Sequence, residues 1–422
     1  MKIDLTRAEC TIKSGQDLTA MPHPTLEMAT TVKERIIVGP KGIVESAVAG
    51  DSFTPTRIGY LSDLPTPRGL TAFLDPIILA LEDAINEGRL TRAVEIIPIH
   101  VVGLPIGQPR NVIAAYRHLV DLGCVFVHSV GVTDNALILR EVVNECKVPL
   151  MTMAGTTKFV GPYCFSLANG GHGEEASILA AFVADQGYKR IVFAGERSPG
   201  DIEYQTFFRD QARLYGLDII KEHFFDSRPG DDEMDAVLTH FRDDLRPDAL
   251  VYCGFGWNGG QFNASLERIG WNPPKIMNSA IMWALGGGPM AKAFDGWIGI
   301  EQTIEEHDPT EPNRNLPVVL DRFEKRFGYR PGKTMTALLY DQGRSVSEAI
   351  INATILTGEG IVQGLERIKM MPSLIGGPRT YIDFGPENHR GYKGDFLFMK
   401  QLRDGEFHFA AYHWPVWPIN RA

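Results

Sequence analysis

The sequence predicts an α/β protein made of two similar halves, preceded by a stretch of different character, residues 1–56. Three observations carry this. From Arg57 onward, short apolar runs alternate with amphipathic helical segments, the signature of parallel βα units. After Phe165–Asn169 the same alternation starts afresh. The chain is 422 residues long, enough for two or three domains or lobes, and 44% hydrophobic with 22% charged residues is an ordinary globular composition.

The leading stretch has scattered Thr, Pro and Gly and two β-like runs, Arg35–Val38 and Ile43–Val48, separated by Gly39-Pro40; it reads as an extension or arm. The first βα unit then places a strand at Ile58–Leu61, a Pro-rich turn, and a helix from Leu74 to Asn86 that Gly88 stops. Strands at Val94–Val102, Val125–Val127 and Pro149–Thr152 follow, with helices Val112–Leu122 and one ending near Glu145 between them. The second half opens with a helix from Glu174 to Gln186. It continues through strands at Arg190–Phe193, Leu217–Phe225, Ala249–Tyr252 and Lys275–Met277, and a further strand at Trp297–Ile300. Helices at Pro317–Phe327 and Thr336–Leu356 and a segment at Val362–Lys369 add α/β material. Thr380–Phe384, Phe396–Met399 and Phe407–Tyr412 are short alternating or aromatic strands between Gly-containing turns, which suits an antiparallel edge.

Charge and motifs exclude more than they select. The net charge of −10 disfavours nucleic acid and anionic membrane surfaces as partners. The five cysteines form no CxxC pair, and no run is long and apolar enough to span a membrane. The N-terminal MKIDLTRAEC lacks the apolar core of a secretory leader, so the chain is expected in the cytoplasm, or in the periplasm if the start is mis-assigned or a leader was removed. No nucleophile elbow, zinc pair, phosphate loop or calcium ladder is present, so neither a metal nor a cofactor is expected. GFGWNG at Gly254–Gly259 matches G-x-G-x-x-G after a strand. The strand that follows it ends in Met277-Asn278-Ser279-Ala280 without the acidic residue that would hold a ribose, and Phe255 and Trp257 would crowd a pyrophosphate. An aromatic-walled ligand loop is the better reading. His172 with Glu174 and Glu175 imitates a metal site, but acids at a helix start are favoured by its positive end, and Cys253 reads as a small buried cysteine.

In parallel α/β sheets, ligands bind beyond the carboxyl ends of the strands. The loops there carry Ser62 with Asp63, Ser129 with Thr133 and Asp134, Ala154 to Thr157, Asp201 with Tyr204, Phe255 with Trp257, and Ser279 with Trp283. Hydroxyls come from the first half and aromatics from the second, which suits a small ligand with one polar end held between two lobes.

In this order and spacing, the chain resembles the type I periplasmic solute-binding proteins, the leucine/isoleucine/valine-binding branch of ABC-transporter receptors. IGYLSDLPTPRGLTAFLDPIILALEDAINEG is similar to the family's opening strand, ligand loop and helix. VPLMTMAGTT is similar to its fourth strand, and GYKRIVFAGERSPGDIEYQTFFRDQARLYG to the start of its second lobe. DALVYCGFGWNG and the tail GGPRTYIDFGPENHRGYKGDFLFMKQL also fit. The resemblance runs from about Arg57 to His413.

It implies two Rossmann-like lobes joined by three hinge crossovers, near Ser166–Asn169, Gly299–Gln302 and Pro372–Ile375. Lobe 1 would comprise 57–168 and 300–372, and lobe 2 169–299 and 373–422. It also implies a non-catalytic cleft that closes on a small-molecule ligand, and an ABC-transporter permease or a regulatory protein as partner. By position, Thr133 and Thr156 would hold a ligand carboxylate, the backbone of Ala154 an ammonium, and Phe255 an aromatic wall. The family's amino-acid binders carry an acidic residue where this chain has Ser279-Ala280. A carboxylate, amide or larger apolar ligand is therefore expected unless Asp63, Glu196, Asp201 or Glu301 substitutes. A cytosolic ligand sensor of the amide-sensing type stays open as a second reading, and an enzyme using GFGWNG as a cofactor loop as a third.

Overall fold

The computed structural model describes residues 7–14, 34–49, 54–63, 70–128, 130–168, 170–227, 229–256, 258–286, 292–303, 313–330, 332–377, 379–394 and 397–411. The first of two large sheets begins with an antiparallel pair of strands, β1 (Ala8–Ser14) and β2 (Glu34–Pro40), followed by helix α1 (Lys41–Ala49). Then come β3 (Thr56–Ser62), α2 (Leu70–Asn86), β4 (Val94–His100), α3 (Pro109–Asp121), β5 (Val127–His128), α4 (Thr133–Cys146), β6 (Leu150–Thr152) and β7 (Cys164–Ser166). The strand order is β1-β2-β4-β3-β5-β6-β7, parallel from β4 to β7. Every residue of β4 is buried, which is why this strand reads as a nearly continuous apolar run rather than an alternation.

The second sheet repeats the plan. Helix α5 (His172–Asp185) leads to β8 (Arg190–Glu196), α6 (Pro199–Leu214), β9 (Asp218–Phe225), α7 (Asp231–His240), β10 (Ala249–Cys253), α8 (Gly259–Arg268), β11 (Lys275–Met277) and β12 (Ile298–Glu301). The chain then returns to the first half as α9 (Asn315–Phe327), α10 (Lys333–Asn352) and α11 (Gly358–Glu366). Gly343 lets α10 lie directly on α2, since a Cβ there would come within 2.8 Å of the Ala80 Cβ and 2.9 Å of the Ile77 Cα. Arg322 and Arg326 of α9 pair with Asp83 at 2.7 Å and Glu82 at 2.8 Å on α2. A small sheet of β13 (Met371–Pro372), β14 (Tyr381–Ile382) and β15 (Tyr392–Lys393) precedes β16 (Phe398–Arg403) and β17 (Glu406–Ala411). These last two strands close the second sheet in the order β17-β16-β12-β11-β10-β8-β9, antiparallel as the tail sequence suggests.

Two features before Arg57 depart from the sequence reading. The described part of this stretch is the edge of the first sheet rather than an arm: β2 pairs antiparallel with β4. Glu95 in β4 fixes the arrangement, because its buried carboxylate meets Arg35 of β2 at 2.7 Å and Arg57 of β3 at 2.9 Å. The run Ile43–Val48 is helical, within α1. Gly42, Ile43, Val44 and Ser46 face inward while Glu45 and Val48 are exposed, so the apolar residues line one helical face.

Candidate ligand-binding site

Both sheets direct the carboxyl ends of their parallel strands toward a shared cavity of about 300 Å³. The first sheet contributes Gly131–Asp134, at the start of α4, and Met153–Gly155 beyond β6; the second contributes Glu196–Asp201, Gly254-Phe255 and Asn278–Ala280. In the second sheet the order reverses at β8, flanked by β9 and β10, so the loops after β8 and β10 diverge and leave a crevice. Local capping builds its wall: Ser198 accepts a hydrogen bond from the Asp201 amide at 3.1 Å, and Pro199 opens α6, which aims the first turn of that helix at the cavity.

Four carboxyl groups, Asp134, Glu175, Glu196 and Asp201, stand in the polar lining. Glu175 receives the Ser279 amide and hydroxyl, each at 2.9 Å, and burial pushes its carboxyl up to about 8. Gly170 makes room for it, since a Cβ at that residue would sit 1.8 Å from a Glu175 oxygen, and its φ of +80° also favours glycine. Glu196 accepts the Tyr252 hydroxyl and, at 3.4 Å, the Asn258 amide; the Phe255 and Gly256 amides also favour its charged form, but burial still raises it. The described part of the glycine loop, Gly254–Gly256 with Asn258, is therefore turned toward a protein carboxylate. Burial, with Glu196 and Asp134 nearby, holds Asp201 well above the usual carboxylate range. Asp134 crosses the cleft to accept the Gly200 amide at 3.1 Å.

A second set of contacts joins the lobes beside the cavity. Glu203 of α6 accepts the Thr156 hydroxyl at 2.5 Å, the Thr157 amide at 3.0 Å and the Thr157 hydroxyl, and lies 3.1 Å from the His172 Nδ1. Its carboxyl, despite burial, is lowered to about 2 by the hydrogen bonds from His172, Thr156 and Thr157.

Of the residues expected from the sequence, Thr133, Ala154, Tyr204, Phe255 and Ser279 line the cavity together. Three others do not. Asp63 is turned inward, accepting the Gly131 and Val132 amides at 2.8 and 3.1 Å and the Asn135 side chain at 2.9 Å, so it shapes the loop before α4. Thr156 is buried against Glu203, and Glu301 is buried against Thr334. Ser129 and Trp257 lie outside the described residues. Asp134, named with Thr133 in the sequence, lines the cavity too, whereas Glu175 was not singled out there as a ligand group. Glu175 there looks like any helix-start acid, the role its neighbour Glu174 keeps while pairing with Arg390 at 2.8 Å. Cys253 is fully buried, with its thiol held well above the ordinary value by burial. Among the described residues no group of His, Cys, Asp and Glu is placed to hold a metal ion, and no helix is long and apolar enough to cross a membrane.

The model of the periplasmic binding protein family matches residues 55–406. The chain belongs to this family. Accordingly, the binding protein is a two-lobed, non-enzymatic receptor for a small-molecule ligand. Solved structures agree on its fold. It is similar to a type 1 periplasmic binding protein from Bordetella pertussis Tohama I, at 17% identity and TM-score 0.70, covering 85% of this chain and 100% of that one. An ABC transporter substrate-binding protein from Desulfitobacterium hafniense in complex with Leu gives 17% identity, TM-score 0.68 and coverage of 85% and 100%. A solute-binding protein of an ABC transporter from Rhodopseudomonas palustris BisB5, in complex with 3,4-dihydroxybenzoic acid, gives 19%, 0.67 and coverage of 87% and 99%. No curated protein matches the binding protein's sequence.

Proposed function

We propose that this chain is the solute-binding component of an ABC transporter, delivering one small ligand to a membrane permease after its lobes close. The observation that carries this reading is the cavity itself, lined from both lobes at the strand ends, with Asp134 and Gly200 meeting across it. We assign lobe 1 to residues 57–168 and 300–372 and lobe 2 to 169–299 and 373–422, so the chain crosses three times and hinge closure needs only small backbone changes at those crossings. Five of the residues expected from the sequence, Thr133, Ala154, Tyr204, Phe255 and Ser279, form the contact set. Related structures carry leucine and 3,4-dihydroxybenzoic acid, so ligands of that size suit the fold.

The expectation of a ligand without an ammonium rested on the missing acid after Met277. The exception made for a substitute acid applies, because Glu196 and Asp201, with Glu175, reach the cavity from other elements. A thermal-shift screen across amino acids, amides, amines and aromatic acids tests the receptor reading. A hit raises Tm by several degrees at saturating ligand and lowers the radius of gyration in solution scattering. No shift from any class removes the reading. Cell fractionation separates a periplasmic receptor from a cytosolic sensor of the same fold.

A further inference from the structure

Several donors around the cavity are engaged within the protein. Asp63 takes the Gly131 and Val132 amides, Asp134 takes the Gly200 amide, and Glu175 takes both the amide and hydroxyl of Ser279. The Ser198 hydroxyl takes the Asp201 amide. The first turn of α4, where amides remain, carries the Asp134 carboxylate itself. Acceptors, by contrast, are in surplus. Asp201 is 8% exposed and its Oδ2, in the cavity lining, has no hydrogen-bond partner.

Nor do the nearby cations answer this acidity. Arg197 is the one Lys or Arg among the described lining residues, and its guanidinium turns outward to Asp226 at 3.1 Å. His172 is committed to Glu203. Phe73, Phe255, Met153 and Met282 supply apolar and aromatic surface beside the carboxyls. An acidic pocket with ring faces is complementary to a positive head on an apolar body.

Resting on the receptor reading, we propose that the cleft takes a compact organic cation: an amine, amidine or guanidine with an apolar body and no carboxylate, its head held by Asp201, Glu175 and Glu196. This departs from zwitterion binding, because a ligand carboxylate would be desolvated among four protein carboxyls, one of which, Asp134, sits on the helix start that offers the remaining amides.

The test is calorimetry on the full chain with matched probes. Isoamylamine, leucine and isovalerate share one apolar body and differ in carrying the ammonium alone, both charges, or the carboxylate alone. Phenethylamine and agmatine extend the cation series in size. The expected result is that a cation of this set binds at least about tenfold tighter than either carboxylate-bearing probe, and that Asp201→Asn weakens it by at least about tenfold. Asp201→Asn removes a desolvated carboxyl and is expected to fold; Glu175→Gln is the second variant, with circular dichroism confirming the fold of both. The proposal is overturned if leucine or isovalerate binds tightest, if no cation of the set binds below about 1 mM, or if both variants bind the cation unchanged. A carboxylate-bearing ligand found by the wider screen would leave the receptor standing and remove the cation; silence across that screen removes both.

Discussion

Replacing Glu203 by Gln tests the contact that joins the lobes beside the cavity. The carboxylate accepts three hydrogen bonds from Thr156 and Thr157, which follow β6 of the first sheet, and one side of it faces His172. A hydrogen bond to a charged group contributes about 1.5–3 kcal/mol, against about 1 for a neutral one. Glutamine keeps one acceptor oxygen but loses the charge and points an NH2 at groups arranged to donate. A net loss of about 2–3 kcal/mol follows once hydroxyls have rotated to adapt. Unfolding entropy of about 2.1 cal/mol/K per residue gives roughly 0.9 kcal/mol per degree for 422 residues, so Tm should fall by about 3 °C.

Acid titration adds a signature. The Glu203 carboxyl is lowered from 4.5 to about 2, so its stabilising effect is complete above about 4.5 and is lost as pH falls through that interval toward 2. Differential scanning calorimetry of both proteins from pH 7 down to the acid limit reads both effects. A Glu203→Gln protein whose Tm stays within about 1 °C of the parent and whose acid profile overlays it would show that the bridge contributes nothing.

Glu175 has the opposite sign. Burial raises its carboxyl from 4.5 to about 8, so folding favours the protonated form, and stability without ligand declines as pH rises from about 4.5 to 8; Glu175→Gln should flatten that slope in a Tm-versus-pH series. Gly343→Ala should destabilise by about 1–3 kcal/mol in urea unfolding, since its Cβ would press on Ala80 and the backbone of Ile77. Phe255→Ala should weaken ligand binding by about tenfold with little change in Tm, as its ring lines the cavity. Thr156→Ala should do the reverse, lowering Tm through Glu203 while leaving affinity within a few-fold, measured by calorimetry.

Both sheets were legible because parallel strands covered on both faces must be apolar along their length, and runs such as Val94–His100 or Ala249–Cys253 say so directly. The strand–loop–helix setting of Gly254–Gly259 was legible for the same reason. The side chains inside the cleft were not. A hydroxyl after β6 looks the same whether it faces a ligand or a carboxylate from the other lobe, and Thr156 does the latter. Acids in the first turn of α5 or α6 are favoured by the helix dipole wherever they point. Sequence cannot tell that Glu174 turns to Arg390 while Glu175 turns inward, because that choice is made by Gly170 and Ser279, distant partners brought close only by the fold. Ile43–Val48 misled through composition, as Ile and Val favour strands until a helical face gives them a place to pack.

The carboxylate of Glu95 has a practical consequence for anyone trimming this chain. Cutting at residue 55, where the family match begins, would take away β2 and with it Arg35. A buried acid would lose one of its two counter-charges, and the bare rim of β4 would offer its backbone to the next molecule in solution. What looks like a dispensable leader segment is, in its described part, the cover that keeps one sheet from stacking onto another.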